Sequence, residues 1–153
     1  MDLQIIREYF GIRGKLDIHD DVVDVKGDVT IRKNTDKLPC QFGKVTGDFD
    51  CHTSGLKSLV GSPKFVGGNF ECWGNPLTSF EGMPDTVEGW FQCDCLKNVP
   101  ILLLLKFNTC VIMNNDTVGE IIKKYSGQKP LRQAIIQCQR ELIDAGFEGN
   151  ARL

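Results

Sequence analysis

A seven-residue pattern, Val-x-Gly-x-Phe-x-Cys, occurs three times in the middle of this chain, and each copy follows the previous one by 21 residues. The copies occupy residues 45–51, 66–72 and 87–93. The connecting segments repeat as well, because Leu-x-x-Leu or Leu-x-x-Phe and then Gly-x-Pro follow the first two copies, at 56–63 and 77–84. The third copy keeps this turn in shortened form at 96–100. A fixed period of this kind indicates a repeat architecture, in which no single copy can bury its apolar face alone.

Alternation within each copy predicts how the repeats stack. Successive strand residues point to opposite faces, so the Val, Gly, Phe and Cys positions are expected to point inward together. Stacked as parallel rungs roughly 4.8 Å apart, the copies would bury a valine, a phenylalanine and a cysteine column. The last two columns consist of Phe49, Phe70, Phe91 and of Cys51, Cys72, Cys93. Because leucine-rich repeats have periods of roughly 20–29 residues, we predict an α/β solenoid with a short, leucine-rich-repeat-like parallel β stack.

Diverged copies extend the repeat segment on both sides. Residues 25–31 place Val, Gly, Val and Ile 20 positions before the inward residues of the copy at 45–51. The apolar, β-prone segment 109–113 predicts a last, atypical rung, whereas the apolar run 101–105 fits either a turn of helix or a strand. The predicted solenoid therefore covers residues 15–113 and has four to five rungs.

The first residues predict an amphipathic helix that caps the solenoid. Apolar residues at helical spacing extend over roughly residues 2–11, and Gly11 or Gly14 is expected to end the helix. The apolar stripe consists of Leu3, Ile5, Ile6, Tyr9 and Phe10. We expect segment 1–14 to cover the open end of the stack, because an uncovered edge rung favours aggregation. The residues around His19 predict a short hairpin or an irregular first coil.

Two further apolar stripes predict a C-terminal helical cap over residues 114–153. The first helix follows an N-cap segment at 114–116 and is broken by Ser126 and Gly127. Its stripe consists of Val118, Ile121, Ile122 and Tyr125. The second helix starts at Pro130, a residue that suits a helix start, and stops at Gly146. Its stripe consists of Leu131, Ala134, Ile135, Cys138, Leu142 and Ile143.

Length and charge exclude several classes of protein. A chain of 153 residues suits one domain. With 18 basic and 20 acidic side chains the net charge is −2, which argues against nucleic-acid binding, since such proteins are usually strongly basic. The apolar run 101–105 is too short to cross a bilayer, and residues 1–8 lack the basic and apolar regions of a signal peptide. We therefore expect a soluble cytosolic protein that does not bind membranes.

The seven cysteines and two histidines do not form a recognisable chemical motif. Reduced thiols serve well as small core side chains, and this interpretation fits the cysteine column. A metal site or a hydrolase built from Cys72, Cys93, Cys95 and His52 is disfavoured. Alternate strand residues diverge, no paired Cys-x-x-Cys spacing occurs, and no nucleophile and base are visibly paired. We predict neither a cofactor nor enzymatic activity.

The outward positions of the rungs give the candidate binding surface. Both tryptophans, Trp73 and Trp90, fall on this face, and tryptophan is enriched at interaction hot spots. The predicted partner-binding residues are Trp73, Trp90, His52, Arg32, Asp48, Asp50, Glu71, Gln92 and Asp94. Two alternatives to a binding surface remain open. The terminal helices would cover this face if they folded back over it, or the tryptophans would only pack on neighbouring rungs.

The repeat frame resembles the leucine-rich-repeat-like proteins encoded by tailed bacteriophages. The resemblance rests on Val-Asp-Val-Lys-Gly-Asp-Val at 23–29, Gly-Asp-Phe-Asp-Cys at 47–51 and Asn-Pro-Leu-Thr-Ser-Phe-Glu-Gly at 75–82, and it covers about residues 15–100. The tail at 131–153 is similar more loosely. This chain departs from the family at 53–55, where Thr-Ser-Gly stands in place of the usual Asn before Leu. The resemblance implies a phage product in the cytoplasm of the infected bacterium, but no general biochemical activity.

These observations predict a non-enzymatic interaction module. Repeat surfaces commonly bind proteins, and the carboxylates of this face would favour a host protein with a basic patch. Such a protein would be a factor of defence, transcription or metabolism that the phage modulates. The alternative is a self-assembling structural or chaperone-like accessory protein, so the chain is expected to be a monomer or a homodimer.

Overall fold

A computed structural model describes the backbone of residues 3–153 and the side chains from residue 6 onward. Contacts divide the chain into two compact units, Met1–Gly89 and Trp90–Leu153. The boundary between them falls inside the predicted repeat segment 15–113. In the described range 3–153, no helix combines the length and the apolar character needed to cross a bilayer.

The first unit begins with a short helix followed at once by a long hairpin. Helix α1 spans Leu3–Tyr9, strand β1 Phe10–His19 and strand β2 Val22–Ile31. The two strands pair antiparallel over their whole length, and Asp20 and Asp21 make the turn with φ of 48° and 61°. Positive φ at both central residues gives the turn a twist that matches the twist of the strands. The predicted hairpin is therefore present, and it is longer than the sequence suggested.

The N-terminal helix ends earlier than predicted, for a reason visible in the hairpin. Gly11 and Gly14 were expected to stop the helix, but both lie within β1. Gly14 faces Gly27 across the hairpin, with φ of 136° and 139°, and a Cβ on either glycine would collide with a backbone carbonyl of the opposite strand. Gly14 is therefore required for a close approach of two strands. The side chains of Leu3 and Ile5, part of the predicted stripe, lie outside the described residues, whereas Ile6 and Phe10 are buried.

Parallel rungs follow, and each is split into two short strands. The first pair is β3 Gln41–Val45 with β4 Phe49–Asp50, the second is β5 Phe65–Val66 with β6 Phe70–Glu71, and β7 Thr86–Val87 begins the third. One column pairs β2, β3, β5 and β7, and another pairs β2, β4 and β6, all in parallel. This arrangement confirms a parallel β-solenoid.

Inward side chains form the predicted columns within the first unit. Val45 and Val66 are buried, and the rings of Phe49 and Phe70 stack with centroids 5.5 Å apart and planes 7° apart. The cysteines of the same two rungs are also buried. The return turns close the core with Leu56, Leu59, Leu77 and Phe80. Burial of these apolar side chains is the main favourable contribution to folding.

Glycines align where each rung splits. The N–H of Gly68 donates to the carbonyl of Gly47 at 2.9 Å. The N–H of Gly89 donates in the same way to the carbonyl of Gly68 at 2.9 Å. A Cβ on Gly68 would lie 2.9 Å from the carbonyl carbon of Gly47, which is closer than real Cβ atoms come. The residue after Gly47 adds a side-chain hydrogen bond between the same two rungs, because Asp48 Oδ1 accepts the N–H of Asn69 at 2.7 Å. The Gly-Asp step therefore joins successive rungs through both backbone and side chain.

The second unit contains one parallel strand pair and its helices. Strand β8 spans Trp90–Cys93 and β9 spans Thr109–Ile112, and they pair in parallel. The predicted atypical last rung is thus confirmed. Between them, the apolar run forms a 3₁₀ helix, Leu102–Lys106. The rings of Phe91 and Phe107 stack within this unit, with centroids 4.6 Å apart and planes 5° apart.

Two helices complete the second unit. Helix α2 spans Asp116–Tyr125, and the side chain of Asn115 accepts the N–H of Val118 at 3.0 Å as an N-cap. Its predicted apolar stripe is buried. Helix α3 spans Leu131–Asp144 and buries Ala134, Cys138 and Leu142. Ile143 was expected in this stripe but is exposed, because it lies one residue beyond Leu142 and thus about 100° around the helix.

Candidate functional site

The outward residues of the first unit align across the rungs, as the alternation predicts. Thr30 is paired with Asp50, and Asp50 with Glu71. Backbone hydrogen bonds fix this register, since Cys51 N–H donates to the carbonyl of Glu71 at 2.8 Å. Two carboxylates therefore stand side by side on adjacent rungs, an arrangement that is unfavourable for like charges.

A stacked aromatic pair lies next to these carboxylates. The rings of His52 and Trp73 are 4.5 Å apart with planes 9° apart, and Thr53 N–H donates to the carbonyl of Trp73 at 3.0 Å. Nδ1 of His52 lies against Oδ1 of Asp50, which also accepts the backbone N–H of His52 at 3.1 Å. The orientation of the imidazole is therefore held by its own strand and by the neighbouring rung.

We refer to Asp50, His52, Glu71 and Trp73 as the His52 cluster. The side chains of His52 and Asp50 are 36% and 27% exposed, so the cluster is half-buried. Within the part of the chain that the structure describes, no lysine or arginine forms an ion pair with Asp50 or Glu71. One ligand atom from each of the two carboxylates and the imidazole lie within 4.8 Å of one another.

Trp73 lies on the predicted outward face and also fits one of the alternatives left open by the sequence, packing on a neighbouring rung. It belongs to the outward face, as predicted, and it also leans on the neighbouring rung through His52. The indole is half-buried, and among the described residues its Nε1 has no hydrogen-bond partner. Its large ring therefore shields one side of the imidazole.

Two other predicted residues of this unit have additional roles. Asp48 accepts the backbone N–H of Asn69, so its carboxylate belongs to the linkage between rungs. Arg32 lies at the edge of the cluster, where it lines a cavity of about 260 Å³ together with Asp50 and His52. Arg32 also borders a larger cavity of about 640 Å³, whose wall includes Lys15.

The remaining predicted residues lie in the second unit. Trp90 is 44% exposed at the start of β8 and is in register with Thr109. The amide nitrogen of Gln92 donates to Sδ of Met113, whose side chain is 43% exposed. Asp94 follows β8 and is half-buried. Trp90 and Met113 provide exposed apolar surface on this unit.

The cysteines are poorly suited to nucleophilic chemistry. All seven are free thiols, and six of them are buried. Burial raises the pKa of Cys51 far above its usual range, that of Cys138 to about 12 and that of Cys40 to about 11. The pKa of the half-buried Cys95 is raised as well, first by burial and then by Asp94. A raised pKa reduces the thiolate fraction that attacks substrates or binds metals.

A site made of one histidine and two carboxylates was not among the sites predicted from the sequence. The metal site weighed from the sequence used Cys72, Cys93, Cys95 and His52, whereas the structure brings Asp50, His52 and Glu71 together on the outward face. The available signal was Asp-x-His on one strand face with an acidic residue 21 positions after Asp50. Its meaning depends on the parallel register of the two rungs.

Comparison of the chain with protein-family models, with curated proteins and with solved structures finds no match. The candidate function therefore depends on the geometry of the site.

Proposed function

We propose that this protein is a non-enzymatic interaction module that binds a host bacterial protein through the His52 cluster. The observation that carries the proposal is the Trp73–His52 stack beside two carboxylates that form no ion pair with a lysine or arginine of the described chain. The proposal includes the origin that the repeats suggest, a leucine-rich-repeat-like phage product acting in the cytoplasm of the infected cell.

The chemistry of the cluster favours an arginine or lysine of the partner. A guanidinium can donate two parallel hydrogen bonds to a carboxylate and can also lie over an indole. Asp50 and Glu71 would supply the acceptors and Trp73 the aromatic surface. Because these side chains are carried by hydrogen-bonded rungs, little conformational entropy is lost when a partner docks. A basic patch on a host protein is therefore the complementary surface. Binding of this protein would displace the ligand that normally occupies the basic patch.

The second candidate function is self-assembly, favoured by the exposed apolar residues of the second unit. Trp90, Met113 and Leu103 are each more than two-fifths exposed. Large apolar side chains of this kind often mark contact surfaces. Sedimentation at micromolar concentration distinguishes the two functions, because a concentration-independent monomer would contradict self-assembly.

The test is a pull-down from bacterial lysate with three matched proteins. Wild type, Glu71→Gln and Glu81→Gln are compared, because both substitutions remove one negative charge and Glu81 is exposed outside the cluster. We expect a specific host protein to be retained by the wild type and by Glu81→Gln, to be released by salt, and to be lost with Glu71→Gln. Equal retention by all three proteins would refute the proposed surface.

Trp73→Ala tests the aromatic part of the surface separately. Its circular dichroism must first match that of the wild type, since the indole also packs on His52. A folded Trp73→Ala protein that retains the partner as well as the wild type does would exclude the stack from the interface.

A further inference from the structure

We propose that Asp50, His52 and Glu71 form a binding site for one divalent transition-metal ion of the zinc class. The proposal does not depend on the proposed partner, because the three side chains belong to one unit of this chain. Their ligand atoms lie within 4.8 Å of one another. Pairs of ligands around tetrahedral zinc are roughly 3.3 Å apart at bond lengths near 2.0–2.2 Å. Side-chain movements of up to about 1.5 Å, the difference between these two spacings, would bring the three ligand atoms around one ion.

The donor set favours zinc over magnesium or calcium. An imidazole nitrogen with two carboxylate oxygens suits zinc and its first-row neighbours, whereas calcium and magnesium prefer shells made of oxygen only. Three protein ligands leave a further coordination position, as in open zinc sites. A cavity of about 260 Å³ reaches Asp50 and His52 and gives a hydrated ion access from solvent.

The charge arrangement independently indicates a cation. Asp50 and Glu71 are directly paired on adjacent parallel strands, which is destabilising for like charges. Arg32 and Lys33 line the cavity beside Asp50, but among the described residues no lysine or arginine forms an ion pair with either carboxylate. A divalent ion held between them would offset this repulsion, and His52 would add the nitrogen ligand.

The ligands are held by rigid elements and by neighbouring groups. Hydrogen bonds between the rungs fix the backbone of Cys51 relative to Glu71 at 2.8 Å. Trp73 stacks on the imidazole and limits its rotation. Supporting contacts of this kind orient metal ligands and increase the affinity of a site.

The direct test is calorimetric titration of chelator-treated protein with zinc chloride. We expect one ion per chain for the wild type, an affinity at least about tenfold lower for Glu71→Gln and for Asp50→Asn, and no change for Glu81→Gln. Asp50→Asn is the second variant because asparagine keeps the oxygen that accepts the His52 N–H. Absence of saturable zinc binding, or wild-type affinity in both cluster variants, would overturn the proposal.

Two controls identify the ligands and the class of metal. Cys95→Ser tests the half-buried thiol, and a loss of zinc binding in this variant alone would refute the assignment. Magnesium chloride should not compete with zinc, and equal binding of magnesium would contradict the zinc-class donor set. Cobalt(II) added to a Trp90→Phe protein should quench the remaining tryptophan, Trp73, since the chain has only two.

The outcome is separable from the proposed function. The titration contains no partner, so failure to bind zinc together with Glu71-dependent partner capture would overturn only the metal site. Zinc binding together with no partner capture from a chelator-treated lysate would leave the metal site standing and refute the interaction surface, since a zinc ion between the carboxylates would itself exclude a basic partner.

Discussion

Replacing Asn75 tests whether one buried amide holds two rungs together. Its Oδ1 accepts the N–H of Ser54 at 3.0 Å and that of Leu56 at 3.1 Å. Its Nδ2 donates to the carbonyls of Cys51 at 2.7 Å and Cys72 at 2.9 Å. All four hydrogen-bonding positions of the side chain are used, and three of the four join Asn75 to the preceding rung. The amide therefore satisfies backbone groups that the parallel strands leave unpaired.

The expected cost follows from the groups left without partners. Asn75→Ala removes the acceptor of two buried N–H groups, and each unsatisfied donor costs roughly 1–3 kcal/mol. The total, ~2–6 kcal/mol, is a large part of a typical unfolding free energy of roughly 5–15 kcal/mol. Asn75→Asp keeps the shape and the acceptor, but it replaces the NH2 donor by an oxygen that faces the two carbonyls of Cys51 and Cys72. We expect it to be destabilised by a similar amount, because the cause is hydrogen bonding and not lost volume.

Urea unfolding followed by tryptophan fluorescence measures the effect. A Trp90→Phe background leaves Trp73 as the reporter within the first unit. Asn108→Ala is the control, because this asparagine is exposed and a surface substitution changes stability by only about 0.5 kcal/mol. Thermal midpoints should fall by about 5–20 °C for the Asn75 variants. Unfolding free energies of Asn75→Ala and Asn75→Asp within about 1 kcal/mol of wild type would refute the reasoning.

Three further predictions concern the rung spacing, the thiols and a surface histidine. Gly68→Ala should cost at least about 2 kcal/mol in urea unfolding, since its Cβ would collide with Asp48 and the preceding backbone; wild-type stability would disprove that crowding. Cys95 should be the first thiol to react with a disulfide reagent in the native protein, and Cys95→Ser should lose that phase; a fast phase that persists would contradict the burial pattern. The hydrogen bond to Asp24 is the largest cause of the raised pKa of His19, so NMR titration should show a lower His19 pKa in Asp24→Asn than in the wild type. The stabilisation from the His19–Asp24 pair is fully present below the ordinary histidine pKa and is lost as pH rises through the raised pKa of His19. An unshifted His19 pKa in the wild type would refute this prediction.

The repeat period was sufficient to predict much of the first unit. Alternation within the copies predicted which residues are buried, because a strand places every second side chain on the same face. Phe49 and Phe70 stack in their column, and Asp50 and Glu71 align on the outward face. Local signals also located the C-terminal helices, since the cap at Asn115 depends only on neighbouring residues.

Errors arose where tertiary contacts outweighed a local signal. Gly14 resembles a helix stop in the sequence, but it serves the close approach of two paired strands. Ile143 continues an apolar stripe in the sequence, yet it is exposed on α3, whereas Leu142 beside it is buried. Neither result follows from residue types alone, because each depends on the element that packs opposite.

The sequence by itself determined the rung period, the identity of the inward columns and the set of polar residues available on the outward face. Tertiary structure decided which of those residues meet. Asn75 joins two rungs, and His52 lies against Asp50 and under Trp73, only because parallel pairing sets one rung beside the next in a specific register. A shift of one residue in that register would move every outward side chain to the core face, so the site depends on long-range pairing that no local pattern specifies.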